Sequence, residues 1–383
     1  MNDACGPTPG PDDEHTTQIR LVVRPTAATA AANLAHSLRV VEGIDIGRRY
    51  RLGDTPLSIG RRPGNGLVIP DSEVSSAHCV VRAISGERLL EISDHASTNG
   101  TFADGLRVHG TAWLGDGGLL QIGRHVLLHE CGSRADMDRA EQADRELERA
   151  RHYVESLLPA PIREGPVRTD WFFRPSAMLG GDAFGYFRLG EDRFAGYVID
   201  VTGHGVGVAM HTVSLMNVLR QRALPGTDFT DPAEVLTRLN AMFQMDAHDG
   251  LCFTMWYGVY DLSSRRLSFA SAGHHPALLR TPGGAALQRL VTRSLPLGAL
   301  PDAGYRAAQV DVPAGSELLL FSDGLFEVTD REGRNWGLDD VLPLLDALAP
   351  GDDGPARLYR AVRAAIGDGP LDDDCSIVAV TFL

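Results

Sequence analysis

The residues of this sequence best suited to chemistry are aspartates that follow buried-strand signals. Leu318-Leu319-Leu320-Phe321-Ser322-Asp323-Gly324 opens on a continuous apolar run, the pattern of a strand covered on both faces. It then presents a carboxylate, with a glycine behind it to allow a tight turn. Tyr197-Val198-Ile199-Asp200 repeats the construction ahead of Val201-Thr202-Gly203-His204-Gly205. Asp372-Asp373-Asp374 stands just ahead of a third apolar run, and Leu179-Gly180-Gly181-Asp182 sets another acid in a glycine turn. A lone Asp-Gly after a strand is ordinarily only a turn. Acids gathered from several strand ends into one cleft would repel one another unless cations lay between them. Hard oxygen donors suit magnesium or manganese. His204, close in sequence to Asp200, could pass a proton to a leaving oxygen, although Gly-His-Gly also serves as a plain turn feeding a helix.

Several elements must position these residues. Residues 1–35 are rich in proline, glycine and alanine and are expected to be largely disordered. From 36 to 131 short strand candidates recur between turns, the spacing of an all-β sandwich. Charged, helix-prone sequence follows over 133–158, inside a linker set at 132–165. Ala140, Ala143, Leu147, Ala150, Val154 and Leu157 form a heptad seam along it before Pro159 and Pro161 stop the helix. That seam leaves two readings open: a helix packed on its own domain, or one that pairs two chains as a homodimer. Over 166–383 strands alternate with helix pairs, at 208–222 and 232–245 and again at 338–348 and 356–366, which suggests a layered α+β domain. Asp231-Pro232 looks like a helix start, with an N-cap followed by proline at the first helical position.

Six motifs in order carry a resemblance over about 153–383: Ser156-Leu157-Leu158-Pro159, Leu179-Gly180-Gly181-Asp182, Asp200-Val201-Thr202-Gly203-His204-Gly205, Ser271-Ala272-Gly273-His274-His275-Pro276, Ser322-Asp323-Gly324 and Asp373-Asp374-Cys375-Ser376. Together they resemble the metal-dependent protein Ser/Thr phosphatases, in the bacterial branch that dephosphorylates regulators of alternative sigma factors. The resemblance implies a four-layer α-β-β-α domain with two divalent ions, Mn²⁺ or Mg²⁺. Asp182 and Asp200 would hold both, helped by the Val201 carbonyl, and Asp323 and Asp373 would complete one shell. Among Asp372, Asp373 and Asp374 only alignment to the family's last motif selects Asp373. An arginine that many eukaryotic members place ahead of the first acid has no close match; Arg174 is the nearest.

Gly60-Arg61, Ser75-Ser76-Ala77-His78 and Asp94-His95-Ala96-Ser97-Thr98-Asn99-Gly100-Thr101 resemble the loops of a forkhead-associated (FHA) domain, which binds phosphothreonine. A phosphate takes a guanidinium, hydroxyls and a backbone amide, which Arg61, Ser75 and Thr98 could offer. The resemblance implies that Asn99 holds the peptide backbone and that His78 braces the site. Ser76 stands in the binding loop where many members carry a basic residue, which weakens the pull on phosphate.

The formal charge of −14 over 383 residues lacks the basic footprint of nucleic-acid or membrane-surface binding. No apolar run approaches the roughly 20 residues of a spanning helix. Five scattered cysteines without CxxC spacing point to free thiols in a reducing cytoplasm. The first residues lack the apolar core of a signal peptide, so a cytoplasmic protein is expected. The expected function is metal-dependent hydrolysis of phosphoserine or phosphothreonine on a regulatory protein, such as an anti-sigma-factor antagonist, directed by the FHA domain. The alternative is a phosphothreonine-binding adaptor with an inactive phosphatase domain.

Overall fold

A computed structural model describes residues 33–383 except 44, 177–178, 204, 249, 284–286, 331, 349–352 and 367–372. The expected loose segment lies outside the described residues as far as 32, and the first strand already begins at Leu34. His204 also lies outside the described residues.

The N-terminal part is a sandwich of a six-stranded and a five-stranded sheet. Its first and last strands, Leu34–Glu42 and His125–Ser133, pair antiparallel and close one sheet. Burial alternates residue by residue along the first seven positions of His125–Ser133, as it must when one face is core and the other is not. Leu38, Ile59, Val81, Leu90, Ile92, Leu114 and Leu127 fill the space between the sheets with no exposed surface.

Helix α1 (Arg134–Leu157) leaves the sandwich directly from the last strand. Ser133 caps it, its Oγ accepting from the Asp136 N–H at 3.1 Å. Ion pairs then pin it to the neighbouring strand Arg49–Leu52: Arg49 Nε to Asp144 at 3.0 Å, and Arg51 to Asp138 at 2.6 Å and Glu141 at 3.3 Å. The seam residues Ala140, Leu147, Ala150, Val154 and Leu157 are half-buried within the chain, whereas Ala143 is exposed.

The C-terminal part stacks two five-stranded sheets. Phe184, Val198, Trp256, Leu318, Leu320, Val378 and Val380 pack between them. Helices α2 (Val206–Gln221) and α3 (Pro232–Met242) cover one outer face through Ile199, Leu215, Leu236 and Tyr257. Helices α4 (Leu338–Ala347) and α5 (Gly354–Ile366) cover the other through Phe321, Val341, Val362 and Ile377. This is the α-β-β-α order. It explains the continuous apolar runs, because strands covered on both faces have no polar side to show. Asp231 caps α3, its Oδ1 accepting from the Ala233 N–H at 2.9 Å. No helix among the described residues is long and apolar enough to cross a membrane.

Candidate functional site

The acids meet because each of the two C-terminal sheets contributes two chain segments to the same rim of their stack. Asp182 opens the strand Asp182–Arg188, rather than sitting in the turn before it. It lies directly opposite Asp200 of the antiparallel strand Arg193–Val201. Side chains alternate along a strand, and Val198 points between the sheets, so Asp200 does too. Asp182 shares that face with Phe184. From the other sheet, Ser316–Phe321 ends just before Asp323 while its antiparallel partner Cys375–Phe382 begins just after Asp373 and Asp374. The end of one strand thus lies beside the start of the next.

Hydrogen bonds lock the two halves together. Ser376, on the inter-sheet side, donates its Oγ to Asp182 Oδ2 at 2.8 Å. Asp374, only 2% exposed, accepts from the Ser176 N–H at 2.8 Å, the Ser176 hydroxyl at 3.0 Å and the Asp182 N–H at 3.3 Å. The Ser322 hydroxyl donates to the Asp374 carbonyl at 3.1 Å and accepts from the Ser376 N–H at 2.9 Å. Two glycines make this packing possible. A Cβ at Gly180 would lie 1.7 Å from Asp374 Oδ2, and one at Gly324 would lie 2.1 Å from the Asp374 carbonyl oxygen. The Val201 carbonyl presses against Gly181, whose own carbonyl accepts from the Thr212 hydroxyl of α2 at 3.0 Å.

Electrostatically the cluster is self-repelling. Burial pushes Asp182 well above the ordinary carboxyl range, and Asp374 and Asp200 add to it. Asp200 is pushed up to about 7 by burial and then by Asp323, Asp373, Asp374 and Glu327. Asp323 rises to about 6, again through burial first and then Asp373 and Glu327. The charged groups acting most strongly on these three are all acids. Among the described residues no three His, Cys, Asp or Glu side chains converge into a ready-made metal cage. The two observations are compatible, since unscreened like charges act over several ångströms while holding the oxygens apart. An all-oxygen, strongly anionic donor set fits a hard divalent cation.

Asp182, Asp200, Asp323 and Asp373 are therefore brought together, with Asp182 buried, Asp200 and Asp323 half-buried and Asp373 exposed. Asp373 accepts the Asp374 N–H at 2.7 Å, while Asp374 itself points inward. Ser176, Ser322, Ser376 and Glu327 join the site without having been expected there from sequence. Ser376 had a legible signal, standing two residues beyond Asp374 on one strand face; the others had none.

A second site lies on the sandwich loops. Arg61 is exposed, with Nε donating to the Val74 carbonyl at 3.1 Å. Thr98 donates its N–H to Ser75 Oγ at 3.0 Å, and the Asn99 amide donates to the Glu73 carbonyl at 2.9 Å. His78 is fully buried and bridges the loops. Its Nδ1 accepts the Ser75 N–H at 3.0 Å and its Nε2 faces the Gly100 carbonyl at 3.2 Å, so Nε2 carries the proton. Arg61, Ser75, Thr98 and Asn99 thus sit on one interlinked loop cluster. Ser76 is half-buried beside them, its carbonyl accepting from Asn65 at 2.9 Å.

Comparison with known proteins agrees with both regions. The profile described as Stage II sporulation protein E (SpoIIE) matches residues 190–383, and that of the FHA domain matches 57–123. Asp182 lies ahead of the first match, so its place rests on the strand pairing with Asp200. A segment of 186 residues, 48% of this chain and 46% of the relative, is 31% identical to phosphoserine phosphatase RsbP of Bacillus subtilis (strain 168). Another of 95 residues, 25% of this chain and 60% of the relative, is 34% identical to the FHA domain-containing protein FhaB of Mycolicibacterium smegmatis (strain ATCC 700084 / mc(2)155). In fold, the SiaA-PP2C domain of Pseudomonas aeruginosa superposes with a TM-score of 0.53 at 21% identity, over 63% of this chain and 98% of that one. The chain spans about half the length of the phosphatase relatives it matches. Both resemblances seen in the sequence hold, and the chain belongs to the Stage II sporulation protein E (SpoIIE) family, with an FHA domain ahead of the matched region.

Proposed function

We propose that this chain is a Mn²⁺- or Mg²⁺-dependent phosphatase acting on phosphoserine or phosphothreonine of a regulatory protein, directed or regulated by its FHA domain. The observation that carries this reading is the meeting of carboxylates from both sheets at one rim, where burial and mutual repulsion raise three of them well above their usual range. Two divalent ions, when bound, supply charge neutralisation and an activated water there. Asp182 and Asp200 would hold both, with the Val201 carbonyl assisting, and Asp323 and Asp373 would complete one shell. Asp374, tied to Ser176 and to the Asp182 amide, keeps the start of the Asp182 strand in place. His204 gives a proton to the departing serine or threonine oxygen.

On the sandwich, Arg61, Ser75 and Thr98 take the phosphate of a phosphothreonine protein, Asn99 holds its backbone and Ser76 lines the rim. The substrate class that the family resemblance suggests is an anti-sigma-factor antagonist, met in a reducing cytoplasm where the described cysteines stay free thiols. Self-association through α1 belongs to the same reading, and Leu147→Asp with Val154→Asp should reduce the sedimenting mass. The direct test is p-nitrophenyl phosphate: hydrolysis should need Mn²⁺ or Mg²⁺ and stop in EDTA. Metal binding without hydrolysis would point to the adaptor instead, and full activity in EDTA would exclude two-metal chemistry.

Two expectations arise from the same electrostatics. Ser376→Ala removes a hydroxyl that favours ionised Asp182, so manganese affinity by calorimetric titration should weaken about 10–100-fold. In EDTA, the folded protein keeps protons on Asp200, near 7, and Asp323, near 6, that the unfolded chain releases near pH 4. Between those values the native state binds more protons, so stability should fall as pH rises from about 4 to about 7 and level off above. Saturating Mn²⁺ should flatten that slope. Melting curves with and without the metal check both statements.

A further inference from the structure

A cleft of about 960 Å³ lies where the sandwich, α1 and the phosphatase sheets meet. Residues 45–51 of the sandwich form one wall and α1 the second. The edge strand Val167–Arg174 with α5 forms the third. Eight arginines line it against five carboxylates, in a chain whose formal charge is −14. That local inversion of charge is the first sign of an anion site.

Ion pairing does not use up the excess. Arg49 and Arg51 are held by acids of α1 and the sandwich, which fixes the wall they form. Arg145 on α1 and Arg174 at the end of the edge strand have no carboxylate partner among the described residues. Arg151 is not part of that excess, since its buried Nε faces Glu155 at 3.6 Å, beyond hydrogen-bond reach but within an ion pair. Guanidinium groups from separate walls can grip several phosphate oxygens at once, through paired donors. The volume suits a molecule of nucleotide size rather than a single phosphate. Half-buried Phe172 and Tyr359, stacked at 4.3 Å, add an apolar surface.

We propose that this cleft is a binding site for a small molecule carrying an oligophosphate group, gripped by Arg145 and Arg174 from separate walls. It is separate from both sites already described, yet it borders one of them. Ser176 lines the cleft and also donates to Asp374 at the acid rim. A bound anion would therefore touch the segment that positions that acid.

Calorimetric titration of the full chain with ATP and with inorganic pyrophosphate tests this. The measurement uses Arg61→Ala protein in EDTA, so neither the phosphothreonine loops nor divalent metal can account for a signal. Binding of at least one probe is expected, weakened about tenfold or more in Arg145→Glu/Arg174→Glu. Pyrophosphate binding would show that the phosphates suffice, whereas ATP binding alone would show that the nucleoside contributes. No binding of either probe overturns the proposal, as does unchanged affinity in the double variant. Should that variant fail to fold, Arg145→Ala, on the exposed face of α1, is read in its place: weakened binding supports the proposal and unchanged binding overturns it.

Discussion

Asp323→Asn should lower metal-dependent phosphatase turnover by more than the roughly 10–100-fold that loss of an outer-shell partner costs, while stabilising the protein in EDTA. The two effects have one cause. Asp323 is half-buried at the end of a strand, and burial with Asp373 and Glu327 raises its carboxyl to about 6. At pH 7 it is mostly ionised among other acids, which costs stability unless a cation lies between them. Asparagine keeps the shape and removes the charge. Without metal, repulsion falls and the melting temperature should rise by about 2–4 °C for each kcal/mol relieved. With metal, an anionic donor has been lost, so manganese should stabilise the variant less than the parent. Turnover of p-nitrophenyl phosphate and melting curves across a manganese series measure both arms. A variant with parental turnover would remove Asp323 from the metal site, and one less stable in EDTA would contradict the repulsion argument.

Arg61→Ala should weaken phosphothreonine-peptide binding about tenfold to a hundredfold, the worth of a charge-assisted hydrogen bond. Its Nε is committed to the Val74 carbonyl and its backbone N–H to the Ser75 carbonyl, which anchors this exposed side chain on the loop that carries Ser75. Lysine would not restore the site fully, because a point charge lacks the planar fork. Because Arg61 is exposed, the melting temperature should hardly move. Fluorescence anisotropy with a labelled phosphothreonine peptide, its unphosphorylated form and the Arg61→Lys protein gives the comparison. Equal affinity for phosphorylated and unphosphorylated peptide in the parent would dismiss the phosphate reading of these loops.

Which stretches are buried strands, and where acids and glycines interrupt them, was legible from residue order alone. Those are local signals: the continuous apolar run 318–321, the Gly180-Gly181 pair, the Asp231-Pro232 helix start. The helix at 134–157 was legible too, because periodicity and charge act within a few turns. Which atoms meet depends on how the elements pack. Ser376 reaches Asp182 across 194 residues and Ser176 reaches Asp374 across 198, contacts that depend on the register of two sheets and on how closely they stack. Register likewise placed Asp182 opposite Asp200, and it put Ser376 on the inter-sheet face with Val378 and Val380. A one-residue slip would have exchanged those faces, since side chains alternate along a strand. The acids of α1 that pair with Arg49 and Arg51 were legible as charges but not as partners. A polar residue acquires its partner only when another element docks against it, and docking follows the apolar surfaces of the whole chain.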